Sequence, residues 1–304
     1  MRKVVCILAT ICLLASCGQS YEEKLRMSRE QRRQMMREDS AALKVAVLPT
    51  MDCLPLYVAK ERGFFKAQGV DVRLKRFTAQ MDCDTAIERG RVEGVVSDLV
   101  RTERMQKNGT PLRYVAATNA YWQLVTRRNA RIRELNQLDD KMVGMTRYSA
   151  TDLLTDAAVD SAKLKTERVF RIQINDVNIR LRMLVGNELD AMLLPEPQAV
   201  QARLQKHRVI QDSRSLDLQL GVLAFSEKAL ENSKRQKQLE AFLKGYNQAC
   251  DSLTHYGLKY YSDVAEKYYD VKGAALDSLS KSMTYVHAAA PRQQDVERAK
   301  QWLK

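Results

Sequence analysis

The sequence lacks the short motifs that mark the common catalytic and nucleotide-binding sites. It contains no G-x-G-x-x-G, no G-x-x-x-x-G-K-[ST] loop, no G-x-S-x-G and no paired-histidine motif of a metal hydrolase. Only three histidines occur, and none follows a predicted strand. Zinc hydrolases and enzymes built on a nucleophile–histidine pair are therefore poorly supported. We expect a chain that is not an enzyme, without cofactor or metal, because binding a solute requires none of these groups.

Long hydrophobic runs are also missing, apart from residues 4–15, which follow Arg2 and Lys3. A run of this length is too short to span a bilayer and is typical of a secretory signal. Residues 14–17, Leu-Ala-Ser-Cys, resemble a bacterial lipobox, which implies cleavage before Cys17 and lipidation of its sulfur. The alternative is an ordinary cleaved signal with an incidental cysteine. We expect a lipoprotein signal over residues 1–16 and a lipid-anchored, periplasm-facing location in the cell envelope.

Residues 17–43 are polar and charged, with a capping-box pattern at Ser28 that predicts an exposed helix. This segment is expected to be a lipidated tether between the membrane and the folded body. The net charge of +13 is spread along the chain instead of forming one block. Export argues against nucleic acid as a partner, and we interpret the charge as a solvated surface facing an anionic membrane.

Cysteine is scarce in the body of the chain, where Cys53, Cys83 and Cys250 remain. Cys53 and Cys83 each end a Met-Asp-Cys triplet, and each follows a predicted strand. In an oxidising compartment this predicts a disulfide between them. Two free buried thiols are the first alternative. A metal site that adds Asp52 and Asp82 is the second, although no histidine assists and the ligands mix hard and soft donors.

Residues 44–77 predict a strand, a loop, a helix opened by Pro55 and ended by Gly63, and a second strand. A ligand of such a unit binds beyond the carboxyl ends of the strands, which places the loop of residues 50–54 at the site. The strand–helix alternation continues along the chain and favours a parallel sheet with helices on both faces. Residues 84–98 and 176–196 share one pattern of acidic cap, helix, glycine and strand, which predicts two lobes built alike.

Three stretches, residues 55–72, 135–144 and 186–197, resemble periplasmic solute-binding proteins of the NMT1/THI5-like group. That group includes binding proteins for alkanesulfonates, nitrate and the pyrimidine precursor of thiamine. The resemblance implies an α/β type II periplasmic-binding-protein fold, in which two α/β lobes are joined by two crossing segments with a cleft between them. Lobe 1 is then expected at residues 44–120 and 223–304, and lobe 2 at residues 121–222, with crossings near residues 118–122 and 218–222.

The same resemblance implies a role as the solute-binding component of an ABC importer. Its partners would be a small-molecule ligand, a permease and an ATPase subunit, with the membrane reached only through the N-terminal lipid and the protein itself a monomer. Loops at strand ends supply the candidate ligand-binding residues Thr50, Asp52, Cys53, Gln80, Met81, Asp82, Asp98, Asn119, Tyr121, Trp122, Thr146, Arg147, Ser149, Thr151, Asp176 and Glu196. Three of these residues have an alternative interpretation: Asp52 and Asp176 as helix caps, and Arg147 as the ion-pair partner of Asp152.

The candidate set holds five carboxylates against one arginine, Arg147, and it includes Tyr121 and Trp122. Carboxylates accept N–H bonds and aromatic rings stack on cations and heterocycles, so this set favours a nitrogen heterocycle or amine such as a thiamine pyrimidine precursor. The alternatives are a sulfonate or nitrate-type anion carried in the same role, or an enzyme or sensor on the same fold.

Overall fold

The computed structural model describes residues 29–304, so Cys17 and the predicted signal lie outside the described residues. The chain divides into one unit that ends at Ala42 and a second that spans Leu43–Lys304. The described part of the first unit contains helix α1, Arg29–Ala41, which has no buried residue. A helix was predicted in this segment from its capping pattern.

The second unit contains two five-stranded sheets. The strands are β1 Leu43–Val47, β2 Val72–Arg76, β3 Gly94–Asp98, β4 Leu112–Ala117, β5 Trp122–Thr126, β6 Lys141–Met145, β7 Val169–Gln173, β8 Ala191–Pro195, β9 Arg208–Asp212 and β10 Gly221–Ser226. Their order is β2-β1-β3-β10-β4 in the first sheet and β7-β6-β8-β5-β9 in the second. We call the parts built on these sheets the first lobe and the second lobe.

Each sheet combines parallel and antiparallel strands. β1 is parallel to β2 and β3, and β6 is parallel to β7 and β8. β10 runs antiparallel to β3 and β4, while β5 runs antiparallel to β8 and β9. The expected likeness of the two lobes is confirmed by this matching order. The expectation of a wholly parallel sheet is wrong, because β5 and β10 each enter from the other lobe and therefore run in the opposite direction.

Helices cover both sheets. Those of the second unit are α2 Leu54–Glu61, α3 Phe64–Ala67, α4 Gln80–Glu88, α5 Leu99–Lys107, α6 Ala150–Ser161, α7 Val177–Val185, α8 Gln198–Leu204, α9 Glu227–Leu230, α10 Ser233–Tyr256, α11 Ser262–Tyr269, α12 Gly273–Ser282 and α13 Gln293–Trp302. Pro55 occupies the first turn of α2, and Gly63 follows it with φ of 72°. Both residues act as the sequence predicted.

The core of the first lobe lies on both faces of β1. Val45 and Val47 pack into a cluster that includes Phe242 of α10. Ala46 joins a separate cluster on the opposite face together with Ile87 of α4. Because side chains alternate along a strand, Val45 and Val47 face one cluster and Ala46 the other, so β1 is buried on both sides beyond the half-buried Lys44.

Two segments cross between the lobes, residues 118–121 after β4 and residues 213–220 before β10. The crossings were expected near residues 118–122 and 218–222; in the structure β5 begins at Trp122 and β10 at Gly221. The C-terminal helix α13 also contacts both lobes: its Val296 and Ala299 are buried in one cluster with residues of α5 and α6. Trp302 Nε1 donates to Asp156 Oδ2 of the second lobe over 2.7 Å. In the described part of the chain, no helix is both long and apolar enough to traverse a bilayer.

Candidate functional site

A pocket lies between the lobes, at the carboxyl ends of the central strands β1, β3, β6 and β8. It encloses about 590 Å³ of empty space, part of it open to solvent. Its walls come from the loops that follow these strands and from the crossing after β4. The lining residues are Leu48, Thr50, Met51, Asp52, Gln80, Val96, Ser97, Asp98, Asn119, Ala120, Tyr121, Trp122, Thr146, Ser149, Thr151, Val177, Arg180, Pro195, Glu196 and Met283.

Direct hydrogen bonds join the two lobes around this pocket. The backbone N–H of Met51 donates to the carbonyl of Glu196 over 2.9 Å. Gln198 Nε2 donates to the carbonyl of Pro49 over 3.1 Å. At the outer edge, the N–H of Val177 donates to the carbonyl of Thr78 over 3.3 Å. The lobes are therefore in a closed arrangement, with the pocket between them.

Asp98 occupies the point where helix α5 of the first lobe meets helix α6 of the second. It is the N-cap of α5, and its Oδ1 accepts the N–H of Arg101 over 3.0 Å. The same oxygen accepts the N–H of Ala150, at the start of α6, also over 3.0 Å. One carboxylate thus faces two helix N-termini, whose dipoles both favour negative charge. Burial nevertheless raises the pKa of Asp98 to about 6, because desolvation outweighs these donors.

Asp52 is a second buried carboxylate of the pocket, and it is 7 % exposed. Thr118 Oγ1 of the first crossing donates to its Oδ2 over 3.2 Å. Burial raises the pKa of Asp52, while the hydrogen bonds from Thr50 and Thr118 oppose the shift. Within residues 29–304 neither Asp52 nor Asp98 forms an ion pair with a Lys or Arg side chain. The positive charge of Arg101 partly offsets the rise in the pKa of Asp98, but a cationic group in the pocket would be the first direct ion-pair partner of either carboxylate.

Glu196 differs from these two carboxylates because its charge is already compensated. Arg203 Nη1 lies 2.7 Å from Glu196 Oε1, and Gln123 Nε2 donates to the same oxygen over 2.8 Å. The N–H of Val200 donates to Oε2 over 2.8 Å. We assign Glu196 to shaping the end of β8, with its carboxylate held by the protein itself.

Among residues 29–304, Arg180 of α7 is the single arginine that lines the pocket, and it is 3 % exposed. Its Nε donates to the carbonyl of Ile174 over 2.7 Å and its Nη1 to the carbonyl of Leu193 over 3.0 Å. Nη2 donates to Thr146 Oγ1. Burial lowers the pKa of Arg180 to about 10, still above neutral pH. The side chain ties three strand ends of the second lobe together and brings a positive charge to the pocket wall.

The loop between β6 and α6 is rigid because its hydroxyl groups satisfy one another. Thr151 Oγ1 accepts the N–H of Thr146 over 2.9 Å, and Ser149 Oγ donates to the carbonyl of Thr146 over 2.7 Å. Ser149 also caps α6 by accepting the N–H of Thr151. These groups fix the position of the helix N-terminus at which Ala150 meets Asp98.

Two aromatic residues, Tyr121 at the end of the first crossing and Trp122 at the start of β5, are half-buried and line the pocket. The guanidinium of Arg214 lies 4.0 Å from the centre of the Tyr121 ring, so one face of that ring is already covered. Asn119 is tied down by a hydrogen bond from its Nδ2 to the carbonyl of Thr284. The crossing is therefore anchored on both sides of the pocket.

Eleven residues proposed from the sequence line this pocket. They are Thr50, Asp52, Gln80, Asp98, Asn119, Tyr121, Trp122, Thr146, Ser149, Thr151 and Glu196. The sequence reasoning missed Arg180, which lies in the helix that follows Asp176. A signal existed, since Val177, Arg180 and Leu184 share one face of α7 and all three are buried.

Five proposed residues do not line the pocket. Met81 and Asp82 are exposed because α4 begins at Gln80, earlier than the loop expected there. Arg147 is also exposed, in a separate groove. Asp176 caps α7 by accepting hydrogen bonds from the N–H groups of Asn178 and Ile179, which is the alternative role considered for it from the sequence. Cys53 is fully buried in the core.

The predicted disulfide between Cys53 and Cys83 is not formed, and both are free buried thiols. Cys53 packs with Val45 and Val47, whereas Cys83 packs with Ala46 on the other face of the first sheet. The sheet itself separates the two sulfurs. Residues 29–304 contain no group of three or more His, Cys, Asp or Glu side chains placed to hold a metal ion, so the mixed metal site is not formed either.

The comparisons with known proteins agree with this architecture. The family described as NMT1/THI5 like matches residues 50–255. No curated protein sequence is similar enough to the chain to count as a match.

Three solved structures illustrate the likeness in fold. The alkanesulfonate-binding protein of Xanthomonas axonopodis pv. citri, bound to MOPS, has a TM-score of 0.74 at 15% identity, covering 86% of this chain and 91% of that chain. The ligand-binding component of an ABC-type import system from Staphylococcus aureus, with zinc bound, has a TM-score of 0.73 at 15% identity over 86% and 91% of the two chains. The periplasmic nitrate-binding protein of Synechocystis PCC 6803 has a TM-score of 0.69 at 14% identity, covering 83% of this chain and 74% of that chain. The expected periplasmic-binding-protein fold, with two lobes and a cleft between them, is confirmed.

Proposed function

The chain belongs to the NMT1/THI5-like family, and from that premise we propose that it is the solute-binding component of an ABC importer. The observation that carries the proposal is the pocket itself, which is enclosed by strand-end loops of two lobes that hydrogen-bond directly to each other. A ligand held there contacts both lobes at once. Its binding energy therefore favours the closed arrangement, which a membrane permease and its ATPase can recognise.

The ligand class that the pocket supports best is a cationic amine or a nitrogen heterocycle such as a thiamine pyrimidine precursor. Asp52 and Asp98 offer two buried carboxylates without ion-pair partners in residues 29–304, and in that same range Arg180 is the one basic side chain that lines the pocket. Asp98 also occupies the N-terminus of α6 in the second lobe. Because a helix N-terminus is a ready anion site, a built-in carboxylate at this position competes with an anionic ligand.

A sulfonate or nitrate-type anion is the second candidate. Two of the similar structures are described as alkanesulfonate-binding and nitrate-binding proteins, and Arg180 places a guanidinium in the pocket wall. Against it stand the two unpaired carboxylates, which raise the cost of bringing a second negative charge into a buried site.

A ligand panel separates the two classes. The purified chain is mixed with pyrimidines, thiamine, simple amines, alkanesulfonates, nitrate and divalent metals, and the melting temperature is recorded. A ligand at 100 times its Kd stabilises the folded chain by about 2.7 kcal/mol, which is readily detected. We expect amines or pyrimidines to raise the melting temperature, and Asp52→Asn to weaken that effect. A response to sulfonates alone would contradict the ligand class, and a response to no small molecule would contradict the binding role.

We also propose that Cys17 carries the lipid and that residues 17–43 form the tether, with lobe 1 over residues 44–120 and 223–304 and lobe 2 over residues 121–222. The lipobox-like residues 14–17 and the exposed helix α1 support this arrangement. Metabolic labelling with a fatty acid should mark the natural chain and leave the Cys17→Ser variant unlabelled. Equal labelling of both would contradict the assignment.

A further inference from the structure

A segment without regular secondary structure, residues 283–292, joins α12 to α13 and lies beyond the part of the chain that matches the family. We call it the linking segment. Met283 and Tyr285 are buried, whereas Thr284 between them is exposed, an alternation typical of an extended chain packed on one side. Met283 lines the pocket, and Tyr285 Oη donates to the carbonyl of Met51 in the pocket loop over 3.3 Å. The linking segment is therefore part of the pocket's support.

The connection between β4 and β5 hydrogen-bonds to the linking segment at two points. Asn119 Nδ2 of the first crossing donates to the carbonyl of Thr284. The N–H of Ala117, the last residue of β4, donates to the carbonyl of Ala289 over 2.6 Å. The linking segment thus runs beside the first crossing.

The second crossing holds the linking segment near both of its ends. Arg214 Nη1 donates to the carbonyl of Ser282 over 3.0 Å, and its Nη2 lies 4.0 Å from Met283 Sδ. At the other end, Arg292 Nη1 donates to Asp217 Oδ1 and Nη2 to the carbonyl of Asp217, each over 2.7 Å. Arg214 follows β9 of the second lobe, while Ser282 ends α12, which packs in the core of the first lobe. Their hydrogen bond therefore joins the two lobes.

Arg214 contacts the first crossing as well, because its guanidinium carbon lies 4.0 Å from the centre of the Tyr121 ring. One side chain of the second crossing thus touches both the first crossing and the linking segment. Tyr121 and Met283, which it contacts in these two elements, both line the pocket. A change in the position of Arg214 is therefore felt at two places in the pocket wall.

We propose that the linking segment is a third segment of the hinge, and that Arg214 is the positioning residue that couples it to both crossings and favours the closed arrangement. This inference rests on the proposed role of the chain as a solute-binding component that closes around its ligand. Opening carries Arg214 away from Ser282, so it removes a hydrogen bond from a charged donor and disturbs the contact with the Tyr121 ring. The closed arrangement is then favoured before any solute arrives.

A thiol in the pocket wall measures opening without a solute. Ser97→Cys replaces a hydroxyl by a thiol on the first-lobe wall, where Ser97 is 5% exposed. A methanethiosulfonate reagent reaches this position through an open cleft, so the labelling rate follows the open population when closing is fast. Peptide mass spectrometry counts the adduct at position 97 separately from adducts at the buried Cys53, Cys83 and Cys250, which report unfolding.

Added to Ser97→Cys, Arg214→Gln should speed labelling at position 97 about fivefold, because it removes the hydrogen bond and the charge over the ring. Arg214→Lys keeps a cation and should give an intermediate rate. Arg62→Gln is the matched control, since Arg62 lies over Tyr261 at 5.3 Å within the first lobe alone, and it should leave the rate unchanged.

Equal rates with arginine and glutamine at position 214, including no labelling in either, would overturn the assignment. An equal gain in Arg62→Gln, or a gain accompanied by adducts at the buried cysteines, would also overturn it. Because the assay contains no solute, its result is separate from that of the ligand panel. If the panel finds no ligand while Arg214→Gln opens the cleft, the binding role is contradicted and the hinge assignment stands.

Discussion

We expect Asp98→Asn to make the protein more stable and, at the same time, to weaken binding of a cationic ligand. The carboxylate of Asp98 is 3 % exposed, and burial raises its pKa from 3.8 to about 6. A shift of this size corresponds to about 3 kcal/mol of unfavourable free energy for keeping the ionised form in the folded chain. An amide is neutral, and its oxygen can still accept from the N–H groups of Arg101 and Ala150.

The sign of the pH dependence follows from the raised pKa. Between pH 4 and pH 6 the folded chain holds a proton on Asp98 that the unfolded chain has released. The contribution of this group to stability is therefore fully present below pH 4, declines as the pH rises towards 6, and stays low above it. The stability difference between Asp98→Asn and the natural chain should vanish near pH 4 and reach its maximum, about 3 kcal/mol, above pH 6.

Urea unfolding at several pH values measures this difference, and calorimetry with a ligand from the panel measures the loss of affinity. A gain of 3 kcal/mol corresponds to about 6 °C or more in melting temperature for a body of this size. Asp139→Asn is a matched control: Asp139 is exposed and its pKa is lowered by the hydrogen bonds from Arg168, so this variant should be slightly less stable. Lower stability of Asp98→Asn at pH 7.5, or a difference that does not shrink on acidification, would refute the reasoning.

Two further outcomes follow from the buried groups. Arg180→Ala leaves the carbonyl groups of Ile174 and Leu193 without their donor and should lower the free energy of unfolding by about 3 kcal/mol or more. Urea unfolding measures this loss. An unchanged midpoint would contradict the role of Arg180 in holding the strand ends of the second lobe together. Cys53, Cys83 and Cys250 are buried free thiols, and burial raises the pKa of each. They should react with a thiol reagent only after denaturation. The intact mass should not change on reduction, and a gain of two hydrogens would show that the disulfide is formed after all.

The sequence was most informative where local chemistry and periodicity agree. Pro55 and Gly63 mark a helix within two residues of its observed ends, and the two strands predicted on either side of it are β1 and β2. The carboxyl ends of β1, β3, β6 and β8, with the residues that follow them, contain more than half of the pocket lining, because the carboxyl ends of parallel strands meet at one edge of a sheet. The antiparallel direction of β5 and β10 depends on how the chain passes between the lobes, which no local pattern records.

The errors at the site have a common physical origin. The sequence places a residue in a loop but does not fix the direction of its side chain. Cys53 and Asp52 are neighbours, yet one points into the core and the other lines the pocket. Arg180 shows the converse: its pattern is that of an amphipathic helix, and only the fold reveals that three carbonyl and hydroxyl acceptors of the second lobe surround its buried charge.

The C-terminal helix α13 sets a condition on any movement of the lobes. Val296 and Ala299 are buried against α5 of one lobe and α6 of the other, and Lys107 Nζ donates to the carbonyl of Leu303 over 3.1 Å. Opening the cleft must therefore break or shift these contacts, which adds their free energy to the cost of separating the lobes. The last helix of the chain, far from the pocket in sequence, in this way helps to set the balance between the closed arrangement and an open one.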